Sequence, residues 1–128
     1  MKKYSKKGLE KRKEERFGYA DFFYKHVQNI KNSNACCAEC GERLKGDFTE
    51  VAHILPKSYF KSISTNDLNV IYLCGMYCSG NNCHSVFDNS AQEKVKQMKI
   101  YPIVKERFQE LLPHITEKLN YKHYDKYE

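Results

Sequence analysis

Hydrophobic residues recur every three or four positions in the first part of the chain, which predicts an amphipathic helix. The recurring positions are Phe17, Ala20, Phe23, Tyr24, Val27 and Ile30. The polar run at residues 32–34 marks the predicted end of this helix. The aromatic side chains at helical spacing are expected in the core and carry no assigned chemistry; they are Phe17, Tyr19, Phe22, Phe23 and Tyr24.

The middle of the chain alternates short apolar runs with polar turns, which predicts strands joined by loops. One strand is predicted over residues 48–53 and another over residues 70–74, with loops over residues 57–68 and 75–82. Residues 83–88 can open a helix, and C-terminal helices are predicted over residues 90–120. Pro102 suits the first turn of the last of these, and Pro113 is expected to kink or break it. The predicted fold class is α+β.

Positive charge is concentrated at one end of the chain. The formal net charge of the 128 residues is +6, and residues 1–16 hold eight Lys or Arg against three Glu. We predict a basic N-terminal arm at residues 1–16, followed by one domain over residues 17–128. Such an arm gains affinity for nucleic acid by releasing counterions, without reading sequence, although it could also be a solvated tail. The residues expected to contact nucleic acid are Lys6, Lys7, Lys11, Arg12, Lys13 and, further along, Lys57.

The spacing of the cysteines indicates a metal-binding site. Thiolates two residues apart hold a soft ion such as Zn²⁺. No apolar run follows the first lysines to form a signal peptide, so a reducing cytoplasm with the thiols on a metal is expected. No stretch has the length of a transmembrane helix, and no membrane partner is expected. Cys36 is the expected spare, and four of the remaining five are the expected ligands: Cys37, Cys40, Cys74, Cys78 and Cys83, with the choice between Cys74 and Cys78 open.

Two histidines have neighbours that suggest a second site. His53 ends a predicted strand, and an imidazole can take a proton from water near neutral pH. The competing interpretation is a structural histidine bonded at a strand end. His84 and Asp88 are four residues apart, which places them on one face of a helix. Their nitrogen and oxygen ligands would suit Mg²⁺, Mn²⁺, Zn²⁺ or Ni²⁺.

Taken in order, four segments resemble the HNH endonucleases, a family built on a ββα-metal motif. They are Cys37-x2-Cys40, Ala-His-Ile-Leu-Pro-Lys at residues 52–57, Asn-Val-Ile-Tyr-Leu-Cys at residues 69–74, and Cys83-His84-x3-Asp88. The resemblance covers residues 37–88. It implies a small ββα-metal core with a structural zinc site, flanked by N-terminal and C-terminal helices.

The resemblance also implies roles for particular residues. His53 would be the general base, Asn69 would fix the loop that carries it, and His84 and Asp88 would hold the catalytic divalent metal. The expected activity is cleavage or nicking of double-stranded DNA to 5′-phosphate and 3′-hydroxyl ends. Similar small, free-standing enzymes occur in phages and mobile elements, so a phage gene in a bacterial host is an expected source. No particular protein partner is predicted.

Two positions depart from the family's pattern. Many members have an Asp or His ligand where this chain has Ala52, and Glu50 could substitute for it or simply be exposed. The spacing from Cys74 to Cys83 is also stretched, and it encloses Cys78. Two alternatives therefore stand beside the nuclease. One is a non-catalytic zinc-ribbon DNA-binding module. The other is a toxin-like nuclease neutralised by a bound protein, whose delivery domain would not fit in this length.

Overall fold

A long N-terminal helix, α1 (Lys6–Ser33), opens the computed structural model, which describes residues 6–77 and 81–128 and only the backbone of residues 6–17. The helix ends where the sequence predicts, because Asn34 takes a left-handed conformation (φ 50°). The backbone N–H of Ala35 then donates to the Ile30 carbonyl at 3.1 Å, which closes the last turn. The start of α1 was predicted too late, since the helix includes most of the predicted arm.

The buried face of α1 differs from the predicted face. Phe22, His26 and Ile30 are buried at four-residue spacing, whereas Tyr24 is 67% exposed. Ala20 is also exposed. The two faces differ because His26, a polar residue, is one of the buried positions. The His26 ring is hydrogen-bonded on both sides, to the Tyr72 hydroxyl at 2.5 Å and to Asp67 at 2.9 Å, so its burial leaves no unpaired polar atom.

Two short strands form an antiparallel pair, β1 (Val51–His53) and β2 (Val70–Tyr72), in which His53 lies opposite Val70. Both are shorter than predicted. Residues 48–50 form a turn of 3₁₀ helix, because Asp47 accepts a hydrogen bond from the Thr49 N–H and caps the turn. The β-branched Thr49 was therefore misleading.

Four helices follow in the described C-terminal part. Pro102 lies in the first turn of the third of them, and this helix ends just before the turn that contains Pro113, as predicted. The last helix lies beyond the predicted range of residues 90–120. Its start is marked by Asn120, whose side chain accepts hydrogen bonds from the backbone N–H groups of Lys122 and His123. The helices are α2 (Cys83–Asn89), α3 (Gln92–Lys96), α4 (Tyr101–Leu111) and α5 (Tyr121–Tyr127).

The buried apolar side chains form one continuous cluster to which α1, both strands and the C-terminal helices contribute. The fold class is therefore α+β, as predicted. Within the described ranges, no helix combines the length and the apolarity that a membrane crossing requires.

Candidate metal centre and catalytic cleft

The structure brings four cysteine thiols together. The sulfur atoms of Cys37, Cys40, Cys74 and Cys83 all lie within 4.8 Å of one another. Cys36, the expected spare, is exposed and outside this cluster. Cys78, the other predicted ligand, lies outside the described residues. The thiols of Cys40 and Cys74 are 3.7 Å apart, and the edge of a tetrahedral zinc–thiolate site with 2.3 Å bonds is about 3.8 Å. The cluster can hold a metal such as zinc.

Backbone geometry also favours a metal at this cluster. The N–H of Cys40 points at the sulfur of Cys37 at 3.5 Å, and the N–H of Cys83 donates to the sulfur of Cys74 at 3.2 Å. The first turn closes at Gly41, whose φ of 79° is in the left-handed region that glycine adopts without strain. Because thiolates are better acceptors than thiols, these N–H groups stabilise the form of cysteine that binds metal.

Two thiols of the cluster, those of Cys40 and Cys83, differ in how readily they ionise. Partial burial opposes ionisation of Cys40, but hydrogen bonds from the Glu42 backbone and neighbouring side chains lower the pKa of its thiol to about 7. Burial raises the pKa of the Cys83 thiol to about 12. Four adjacent negative charges would repel one another, and a bound divalent cation removes that cost.

A second group of ligand atoms lies on α2. The Nε2 atom of His84 is 3.0 Å from the Oδ2 atom of Asp88, one helical turn away. The other ring nitrogen, Nδ1, lies 2.5 Å from the Thr49 carbonyl oxygen, so it donates its proton there. Burial would lower the pKa of His84, but the hydrogen bonds to Asp88 and to Thr49 outweigh it and raise that pKa. This arrangement fixes the ring with Nε2 facing Asp88.

His84 and Asp88 can contact one divalent ion together once the His84 ring gives up its Nε2 proton. Neighbouring ligands of an octahedral ion at about 2.1 Å are about 3.0 Å apart, which is the separation observed. Among the described residues, no third His, Cys, Asp or Glu joins the pair. Ala52, at the position where many HNH endonucleases have a ligand, is completely buried. Two ligands from α2 are therefore what the described chain offers, and solvent or substrate oxygens would complete the coordination.

Glu50 does not supply the ligand that many HNH endonucleases have at the position of Ala52. This side chain is 1% exposed, and its carboxylate accepts hydrogen bonds from the backbone N–H groups of Lys45, Gly46 and Asp47 at 2.6–3.0 Å. It stabilises the turn before β1 and does not line the cleft described below. Both interpretations of Glu50 from the sequence, a ligand or an exposed side chain, were wrong, because a hydrogen-bonded carboxylate can be buried without a charge partner.

His53 is half-buried at the end of β1, with one ring nitrogen engaged. Its Nε2 atom is 2.8 Å from the backbone carbonyl oxygen of Ser64, to which it can only donate. The lone pair of the ring is therefore on Nδ1. The rings of Phe22 and Phe23 lie against His53 at 5.8 and 5.7 Å between centroids. Burial, followed by the charge of Lys57, lowers the pKa of His53 and favours the neutral ring.

Asn69 fastens the segment that follows His53. The side chain is completely buried. Its Oδ1 atom accepts a hydrogen bond from the Leu55 N–H at 2.7 Å, and its Nδ2 atom donates to the carbonyls of Leu55 at 3.0 Å and Ile63 at 3.4 Å. One amide side chain therefore holds both ends of the loop between the two strands.

One cleft of about 700 Å³ is lined by His53, Lys57, His84 and Asp88 together. Phe23 of α1, which was expected in the core without a chemical role, is also part of its wall. The sequence analysis did not single out three other lining residues, Thr49 before β1 and Lys126 and Tyr127 from α5. A signal for α5 was present in the sequence, since Asn120 is a typical N-cap residue.

Close packing behind the cleft fixes the carbonyl that holds His84. A Cβ atom at Gly75 would lie 2.1 Å from the Thr49 hydroxyl oxygen and 2.8 Å from its carbonyl carbon. Only glycine allows the chain after β2 to approach Thr49 this closely. The orientation of the His84 ring therefore depends on a contact between segments that are far apart in sequence.

Lys57 lies beside the cleft, with its ammonium group 4.9 Å from the centre of the Phe23 ring and 5.6 Å from that of Tyr19. The other residues predicted to contact nucleic acid lie in the first turns of α1. Their side chains fall outside the described residues, and they are Lys6, Lys7, Lys11, Arg12 and Lys13.

No protein-family model, curated protein or solved structure matches this chain.

Proposed function

We propose that this protein is a metal-dependent endonuclease or nickase of the HNH type, which hydrolyses phosphodiester bonds in double-stranded DNA. The observation that carries the proposal is that His53, with its lone pair on Nδ1, lines the same cleft as the His84–Asp88 pair. A base and a pair of metal-binding side chains in one cleft are what metal-assisted hydrolysis needs.

In the proposed reaction, His53 accepts a proton from a water molecule through Nδ1 while the water oxygen attacks the phosphorus atom. The bond from phosphorus to the 3′ oxygen breaks, and this oxygen takes a proton from solvent, which leaves 5′-phosphate and 3′-hydroxyl ends. The Ser64 carbonyl holds the ring in the tautomer that can act as a base. The lowered pKa of His53 keeps this ring unprotonated near neutral pH.

His84 and Asp88 would hold the divalent metal, Mg²⁺ or a similar ion, which supplies Lewis-acid stabilisation of the phosphate charge and the leaving oxygen when bound. Thr49 supports this role because its carbonyl orients His84. The four clustered cysteines would hold a separate zinc ion that stabilises the fold. Asn69 supports the proposal by fastening the loop next to the base.

A non-catalytic zinc-containing DNA-binding module is the second candidate. The observation that favours it is the absence of a third ligand beside His84 and Asp88 in the described part of the chain. Under this hypothesis the cysteine cluster and the positive charges matter, whereas the orientation of His53 is incidental.

A plasmid-nicking assay over a panel of divalent metals separates the two candidates. We expect the wild type to convert supercoiled plasmid to the nicked or linear form, and His53→Ala to lose at least about 10²-fold in rate, the usual contribution of a general base. His114→Ala is the matched control, because this histidine is exposed outside the cleft. Its rate, and the zinc content of all three proteins, should be unchanged.

A wild type that cuts neither DNA nor RNA with any metal would favour the binding module. Equal rates for His53→Ala and His114→Ala would exclude His53 as the base. Added metal should not rescue His53→Ala, because the ion does not replace the proton acceptor.

A further inference from the structure

The C-terminal helix α5 brings a lysine into the cleft. Lys126 lines the same cleft as His53, His84 and Asp88, although it is far from all three in sequence. It lies half-buried next to Tyr127, with its ammonium group 5.3 Å from the centre of the Tyr127 ring. The sequence pattern gave no role to this residue.

The packing of α5 holds Lys126 in place. Tyr127 is 2% exposed, and its ring stacks on Phe108 of α4 at 5.5 Å. On the preceding turn, the His123 ring contacts the rings of Tyr59 and Phe60 at 5.2 and 5.0 Å. These contacts join α5 both to the C-terminal core and to the loop that follows His53, so the helix is a fixed wall of the cleft.

The charges of the cleft favour an anion. Among the described residues that line it, Asp88 is the one carboxylate, and Asp88 is paired with His84. In the same part of the chain, neither Lys57 nor Lys126 has a carboxylate within 4.0 Å, whereas Lys96 has Asp125 at 3.8 Å. Each cleft lysine lies against an aromatic ring, which positions the ammonium group without cancelling its charge.

We propose that Lys126 binds a backbone phosphate of the nucleic acid strand that enters the cleft, and that it acts together with Lys57. The inference rests on the proposed function, because it takes a phosphodiester strand as the occupant. Two ammonium groups that come from separate walls would hold the strand at two phosphates. Such contacts position the backbone and do not read bases.

The test is equilibrium binding of a fluorescein-labelled DNA duplex, measured by anisotropy at several salt concentrations without added divalent metal. Lys126→Gln removes the charge and keeps most of the stem. Lys122→Gln is the matched control, because Lys122 is exposed on the same helix and does not line the cleft. One phosphate contact contributes about 0.9 to the slope of log affinity against log salt, or about 3.5-fold between about 50 and 200 mM salt.

We therefore expect the wild type and Lys122→Gln to lose about 3.5-fold more affinity over that range than Lys126→Gln. Lys126→Arg should keep the wild-type slope, and equal melting temperatures would show that α5 remains packed. The inference would be overturned if Lys126→Gln had the same salt slope as the wild type, or if Lys126→Gln and Lys122→Gln changed the slope equally. A wild type that binds no duplex would also overturn it.

This binding assay tests the role of Lys126 separately from the proposed nuclease activity, because it needs no cleavage. A wild type that cuts plasmid while Lys126→Gln keeps the full slope overturns the role of Lys126 alone. A wild type that binds with a Lys126-dependent slope but never cuts overturns the nuclease and supports phosphate binding by Lys126.

Discussion

Replacing Asn69 with alanine should destabilise the protein strongly, because this buried side chain satisfies backbone groups that have no access to water. The substitution leaves the N–H and the carbonyl of Leu55 without the partners they have at 2.7 and 3.0 Å. A buried polar group without a partner costs about 1–3 kcal/mol, so the two together cost about 2–6 kcal/mol. A domain of this kind is stable by about 5–15 kcal/mol, and the loss is therefore a large share of the total.

The assay is urea unfolding followed by circular dichroism, at constant zinc, with the free energy of unfolding extrapolated to water. Asn66→Ala is the matched control from the same loop. The Asn66 side chain is half-buried and caps one short turn by accepting a hydrogen bond from the Leu68 N–H at 3.0 Å. Losing such a cap costs about 1 kcal/mol. An Asn69→Ala variant that loses no more stability than Asn66→Ala would refute the reasoning.

Asn69→Asp gives a second, independent test of the same contacts. The carboxylate keeps an acceptor for the Leu55 N–H but places an oxygen where the amide N–H₂ donates to the carbonyls of Leu55 and Ile63. This variant should be destabilised near neutral pH and should recover part of its stability relative to Asn69→Ala as the pH falls. The recovery is expected because a protonated carboxyl group can donate again.

Two further predictions concern the metal cluster and the base. Elemental analysis should find one zinc per chain in the wild type and almost none in Cys37→Ser and Cys74→Ser. The zinc content of Cys36→Ser and Cys78→Ser should be unchanged. Retention of zinc by Cys37→Ser would contradict the assignment of the cluster. Burial lowers the pKa of His53, so its ring stays an active base below the usual value. At saturating divalent metal, which keeps the ring of His84 unprotonated, the acid limb of kcat/KM against pH should therefore have its midpoint below about 6.5, and a midpoint above that value would contradict the role of His53.

Much of the local structure follows from the sequence alone. The polar residues after Lys31 end α1, Pro102 lies in the first turn of α4, and the strands predicted over residues 48–53 and 70–74 contain the observed pair. One error has a local cause, because the capped turn at residues 48–50 shortens the first strand. The other depends on distant contacts, because the hydrogen bonds to Tyr72 and Asp67 allow His26 to be buried and turn the apolar face of α1 away from Tyr24.

In the candidate site, too, some of the geometry follows from the sequence and some does not. The spacing of Cys37 and Cys40, and the one-turn spacing of His84 and Asp88, are set by backbone geometry within a few residues, so the sequence determines them. Spacing could not choose between Cys74 and Cys78, and it could not place Lys126 in the cleft.

Only the tertiary structure decided the contacts between distant segments. It brought Cys74 to the Cys37–Cys40 turn, set the Thr49 carbonyl behind His84, and packed α5 against the loop after His53. Such contacts depend on how the helices and strands bury their apolar faces together, and no local pattern records that. The sequence alone therefore determined which groups could do chemistry, and the packing of the chain determined which of them share a cleft.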